Sequence, residues 1–208
     1  MATLAALSST IEARDPFARG HASRVEVLAH NLADRLGLDR QALLRLRLGA
    51  LLHDIGKLAV PEAVLVKRGT LNDVERAQIR RHPGAGAWML RAIGVGNEAL
   101  PGVLFHHERW DGRGYPAGLA GESIPLEARI LAVADAFDAM TSIRPYRGPR
   151  RAADALEELT RCAGSQFDPG VVDVFIAACL EGNRKAPRTR TGRRAPILAP
   201  SLDSMPLA

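Results

Sequence analysis

The sequence predicts an all-α protein, a single helical bundle followed by a disordered C-terminal tail, and three observations carry that reading. Apolar residues recur at three- and four-residue steps through most of the chain. Glycine and proline punctuate these stretches where helices would start and stop. No segment alternates apolar and polar residues for long enough to make a convincing strand, and no internal repeat is present.

Taken in order, Val25, Leu28, Ala29, Leu32 and Leu36 share one face of a first helix, which Gly37 ends. Leu43, Leu44, Leu46, Leu48, Leu51, Leu52 and Ile55 make a more apolar helix that runs into Gly56. Thr70 or Asn72 is placed to cap a third helix through His82, and Pro83 starts or kinks the next, which carries Trp88, Met89 and Leu90. A further helix is expected over residues 99–108. The loop DGRGYPAGLAGESIP separates it from one over residues 126–140. Two more follow, over 151–162 and 169–180, the latter opened by Asp168 as N-cap and Pro169 at the first helical position.

A chain of 208 residues suits one domain with a tail, and 47% apolar with 25% charged residues is the mix of a soluble globular protein. No apolar run approaches the ~18 residues needed to cross a bilayer, so no membrane segment is expected. The opening MATLAALSSTIEARD lacks a basic start, which argues against a secretory signal. Cys162 and Cys179 have no CxxC spacing and read as small core residues in a reducing compartment, so a cytoplasmic location is expected. From residue 183 onward six of the 28 basic residues face one of the 23 acidic ones, Asp203, which leaves 22 of each sign in the preceding body. The net charge of +5 therefore sits in the tail, and the body offers no basic face for nucleic acid. The domain reading is a catalytic body over residues 10–182 and a basic, proline-rich tail over 183–208.

Chemistry is suggested by the six histidines and by three carboxylates, Asp54, Asp135 and Asp138. His53 and Asp54 end the most apolar helix, where a charged side chain is costly unless compensated. A metal ion compensates both, because neutral imidazole and carboxylate are natural ligands. His106 and His107 are adjacent; neighbours on a helix diverge by about 100°, so the pair brackets one ion only near a helix end. Asp135 and Asp138 lie one turn apart in AVADAFDAM and raise the same question of what neutralises them. His21 opens the first helix and His82 closes the third, while His30 reads as an ordinary helix residue.

The order H…HD…H…HH…D, with LLHDIGK and HHERWDGRGYPAGLAGESIPLEARILAVADAFDAMTSIRPYR, closely resembles the HD-GYP subgroup of the HD phosphohydrolases over residues 15–180. The resemblance implies a helical bundle of the HD-domain type. It also implies a phosphodiesterase that hydrolyses cyclic di-GMP to linear pGpG and, where a second bond is cut, GMP. Two divalent cations, Fe or Mn, would be held: one by His21, His53, Asp54 and Asp135, the other by Asp54 as a bridge with His82, His106 and His107. Such a pair can share a hydroxide nucleophile and neutralise charge on phosphorus. Five imidazoles also make the site softer than a magnesium site.

By the same resemblance Lys57 would approach a phosphate oxygen or the leaving oxygen, its alternative being a surface lysine at a helix end. Arg144 and Arg147 would grip phosphate through their guanidinium forks, a solvated loop being the alternative. Tyr115 either faces substrate or packs, and Gly112, Gly114 and Pro116 shape the loop beside the metals. Phe17 stands where some members have a glutamate for a third metal, which favours two. Ile143 and Arg68 depart from the pattern without touching the expected ligands. No receiver or sensor domain is read before the body, so the expectation is that a separate regulatory protein supplies the signal or that the sequence is a fragment of a longer chain; a homodimer is the other partner expected. The competing functions are hydrolysis of another nucleotide or cyclic dinucleotide, and a non-catalytic module that senses cyclic di-GMP.

Overall fold

The computed structural model describes residues 10–14, 18–94, 100–143 and 148–185. Among them the chain forms α1 (His21–Arg35), α2 (Arg40–Leu52), α3 (Glu62–Leu65), α4 (Asp73–Arg80) and α5 (His82–Ala92). Next come α6 (Leu100–Phe105), α7 (Leu126–Thr141), α8 (Ala152–Cys162) and α9 (Pro169–Lys185). Short 3-10 turns lie at Ile55–Ala59 and Gly121–Ser123, residues 10–14 are also helical, and no strand forms among the described residues. The protein is all-α, as its periodicity requires. No described helix is long and apolar enough to cross a membrane.

Helix ends follow local chemistry. Asp39 caps α2 by accepting from the Ala42 N–H at 2.7 Å. Asn72, of the two candidates, caps α4, in a reciprocal capping box with Glu75. Asp168 accepts from the Gly170 N–H at 2.8 Å at the start of α9, the role its place before Pro169 predicts. The third helix differs from expectation: it stops at Arg80, and His82 opens α5 instead of closing α4. Pro83 has no N–H to give the Ile79 carbonyl, so the ladder breaks there. The last helix continues beyond residue 180 to Lys185. Of the expected tail over 183–208, residues 186–208 lie outside the described residues.

Two apolar clusters hold the helices. In the larger, Leu28 and Leu32 of α1, Leu46 of α2, Ile130, Leu131 and Phe137 of α7, Leu159 of α8 and Phe175 of α9 pack together, nearly all sealed from solvent. Truncating one of these leucines to alanine costs about 2–5 kcal/mol. In the smaller, Leu52, Ile55, Ala87, Leu90, Leu100 and Val103 join the end of α2 to α5 and α6. Gly56 makes that junction close: a Cβ there would overlap the His82 carbonyl and the Gly86 backbone nitrogen.

Candidate metal centre

Four helix ends converge on the middle of α7. His21 is the first residue of α1, His53 follows α2, His82 begins α5, and His106 and His107 follow α6. The ends of α2, α4 and α6 solve one problem in one way. Each leaves carbonyls without an intrahelical donor. His53 Nδ1 donates to the Ala50 carbonyl at 2.8 Å, His82 Nδ1 to Ile79 at 2.8 Å, and His106 Nδ1 to Val103 at 2.9 Å. A carbonyl can only accept, so Nδ1 carries the proton in each ring and Nε2 keeps its lone pair. The helix terminus thus sets the tautomer that a cation requires.

The rings form a continuous chain, with centroids 5.3 Å apart for His21 and His53, 5.1 Å for His53 and His106, and 4.1 Å for His106 and His107. Ligand atoms of His21, His53 and Asp54 lie within 4.8 Å of one another, as do those of His82, His106 and His107. Asp135 stands beside the first group, its carboxylate 3.2 Å from His21 Nε2. Asp54 faces both groups: Oδ2 is 3.4 Å from His53 Nε2, and Oδ1 is 3.4 Å from His82 Nε2. Six of the seven residues read from the sequence as metal ligands thus fall into two adjoining groups, and the seventh, Asp135, borders one. They fit divalent cations. His53 Nε2 is fully buried and has no hydrogen-bond partner, a costly state for a lone pair unless an electrophile occupies the space before it.

Electrostatics prepares the same arrangement. Burial, reinforced by the neighbouring imidazole of His107, lowers His82 to about 4, against the counter-pull of Asp54. Burial likewise lowers His106 and His107. All three are neutral at pH 7, the form that binds metal. His21 behaves oppositely: burial opposes its charge, but hydrogen bonds to Asp135 and Asp138 prevail and raise it to about 9. Burial also opposes the Asp54 carboxylate, and the Lys57 ammonium overcomes it, holding Asp54 well below its usual range. The Lys57 ammonium lies 2.6 Å from Asp54 Oδ2.

Asp138, whose neutralisation the sequence left open, has no place among the ligands. It accepts from His21 Nδ1 at 2.7 Å and from Arg24 Nε at 2.6 Å, and so turns His21 Nε2 toward Asp135. Its one-turn spacing from Asp135 and the spacing of Arg24 from His21 were the available signals. Glu108 is a second residue whose role composition does not reveal. Its buried carboxylate accepts from the backbone N–H groups of Ala117, Gly118 and Leu119 at 2.6, 3.1 and 3.1 Å. This folds the glycine-rich loop back over the end of α6, and Gly114 presses so closely on the Glu108 and Arg109 backbone that a side chain would not fit. Gly112 turns the loop with φ 75°. The result lays Tyr115 on His107, with ring centroids 4.9 Å apart and planes 25° apart, and burial pushes its phenol up. A cavity of about 270 Å³ opens beside His106, His107, Asp135 and Tyr115. Arg144, Arg147 and Phe17 lie outside the described residues.

Comparison with known proteins follows the same lines. A family model described as "HD domain" matches residues 5–171. A cyclic di-GMP phosphodiesterase response regulator of Xanthomonas campestris is 44% identical over 179 residues, covering 84% of this chain and 47% of the relative. A 3'3'-cGAMP-specific phosphodiesterase of Vibrio cholerae is 36% identical, covering 82% of this chain and 40% of the relative. The chain thus spans less than half the length of these relatives. Among solved structures, a cyclic GMP-AMP-specific phosphodiesterase of Vibrio cholerae superposes with a TM-score of 0.67 at 22% identity, over 88% of this chain and 49% of that one. At that identity the likeness speaks to the fold.

Proposed function

The chain belongs to the HD-domain family, with the signature of its HD-GYP subgroup, and we propose that it is a metal-dependent phosphodiesterase that opens cyclic di-GMP to linear pGpG. The observation that carries this reading is the position of Asp54, whose two carboxylate oxygens face His53 and His82 at 3.4 Å each. One side chain thereby serves two ligand groups. In this reading His21, His53, Asp54 and Asp135 hold one cation, and Asp54, His82, His106 and His107 hold a second. Imidazole-rich sites of this kind suit Fe or Mn.

When bound, the two cations supply a hydroxide nucleophile at neutral pH and offset charge that develops on the phosphoryl group. The chain's own residues do the rest. The Nδ1 bonds to backbone carbonyls fix which imidazole nitrogen faces the reaction. Lys57, tied to Asp54, places an ammonium at the edge of the site, where it neutralises a phosphate oxygen or the leaving oxygen. Tyr115 forms a wall against the substrate, and Arg144 and Arg147 grip its phosphate. The relatives named for cyclic di-GMP support this substrate. The relatives named for 3'3'-cGAMP favour a second reading, a mixed cyclic dinucleotide. Metal-reconstituted protein incubated with a panel of cyclic dinucleotides, with products separated by chromatography, decides between them. Cyclic di-GMP is expected to be consumed fastest with pGpG as first product; a panel left intact would overturn the assignment.

A further inference from the structure

The cavity beside the metal centre has a second wall. Different chemistry lines it: His106, His107 and Asp135 on the metal side, and among the remaining residues three arginines, Arg80, Arg109 and Arg113, with Glu108, whose carboxylate is taken up by the loop amides. Arg109 is neutralised by Asp111, which accepts from its Nε at 3.0 Å and its terminal nitrogen at 2.7 Å. Arg80 and Arg113 form no ion pair with any described carboxylate. Arg80 instead lies over the Tyr115 ring, 5.2 Å from its centroid, and that ring stacks on His107. Its guanidinium is therefore held one aromatic ring away from the proposed metal site. Arg113 is carried by the glycine-rich loop, whose turn is fixed by the Arg113 N–H donating to Asp111 at 3.1 Å.

A cyclic dinucleotide carries two phosphodiesters joined in one ring. When one lies on the metal centre for hydrolysis, the other must point away from it, and an anion in a half-enclosed cavity needs a cation. We infer that Arg80 and Arg113 form a second anion subsite that binds the phosphodiester not being cleaved, and so select substrates with two phosphates over those with one. The inference rests on the cyclic dinucleotide reading above. Two planar forks suit the two non-bridging oxygens of a phosphodiester, and stacking on Tyr115 lets Arg80 keep its orientation before substrate arrives.

The test compares cyclic di-GMP with bis(p-nitrophenyl) phosphate, which has a single phosphodiester and nothing to place in the subsite. In the Arg80→Ala/Arg113→Ala double variant, the ratio of kcat/KM for cyclic di-GMP to that for the small diester is expected to fall by about thirtyfold or more, the loss of two charge-assisted contacts. Equilibrium binding of a non-hydrolysed phosphorothioate analogue of cyclic di-GMP should weaken in parallel, and Arg80→Lys/Arg113→Lys should recover part of both. Equal losses on the two substrates, or an unchanged ratio, would overturn the subsite while leaving the enzyme assignment intact. A wild-type protein that cleaves the small diester and spares every cyclic dinucleotide would overturn the substrate reading and the subsite with it.

Discussion

His21 shows how a single side chain is prepared by residues that never reach the reaction. One ring nitrogen meets Asp135 and the other is held by Asp138, which Arg24 in turn secures with bonds of 2.6 and 3.0 Å. Asp138 is a positioning residue in this account, acting only through His21. Replacing it with alanine frees the His21 ring and strips Arg24 of its carboxylate partner, leaving it the Arg19 carbonyl. Metal affinity is expected to fall by about ten- to a hundredfold, the usual effect of losing a ligand's outer partner, with the helical content retained. Chelator competition with Mn on Asp138→Ala measures this, and Asp138→Asn, which keeps one acceptor oxygen, should restore part of the affinity. Unchanged affinity in the alanine variant would mean that α1 alone aims the ring. The ligand candidates themselves were legible because histidines paired with carboxylates at the ends of apolar helices are hard to explain otherwise. Asp138 and Arg24 were less so, since they are 114 positions apart and only the fold reveals that they meet.

Among the elements, the long helices could be read from their period, and the short ones could not. α3 has four residues and the turn at Ile55–Ala59 five, too few for an apolar repeat to show itself. The loop after α6 illustrates a different limit. Its glycines announce a turn, but that the loop folds back depends on Glu108, a residue with nothing in its local sequence to mark it as buried. Three backbone N–H groups converge on one carboxylate, so Glu108→Ala leaves three donors unsatisfied together. A loss of about 1–3 kcal/mol is expected where they remain shielded from water. The loop should open ahead of the bundle, because the cost falls on residues 117–119 and spares both apolar clusters. Hydrogen exchange at Ala117, Gly118 and Leu119 in the variant checks this, with urea unfolding giving the global change. Protection of those amides equal to wild type would remove Glu108 from its role.

At the scale of the whole molecule, the candidate centre lies across the seam between the two apolar clusters. His21 and Asp135 belong to helices of the larger cluster, α1 and α7, whereas His82, His106 and His107 adjoin α5 and α6 of the smaller. Asp54 follows α2, whose Leu46 packs in one cluster and whose Leu52 packs in the other. A cation pair held by all these residues would tie the clusters together at a point lined by imidazoles, carboxylates and the Lys57 ammonium, polar groups that cannot cohere as an apolar core does. Metal binding to the folded state alone stabilises it by mass action, by about 2.7 kcal/mol for one site at a hundredfold excess over Kd. For a chain of this size that corresponds to roughly 5–10 °C in Tm. Removing metal with a chelator should therefore lower Tm by at least that range. The larger cluster retains its apolar packing without the ions, so hydrogen exchange should quicken most in α5 and α6 and least in α8 and α9. Calorimetry of the metal-loaded and stripped protein reads the first effect, and exchange mass spectrometry reads the second. If stripping left Tm unchanged, or loosened α8 and α9 as much as α5 and α6, the ions would not be the tie across the seam.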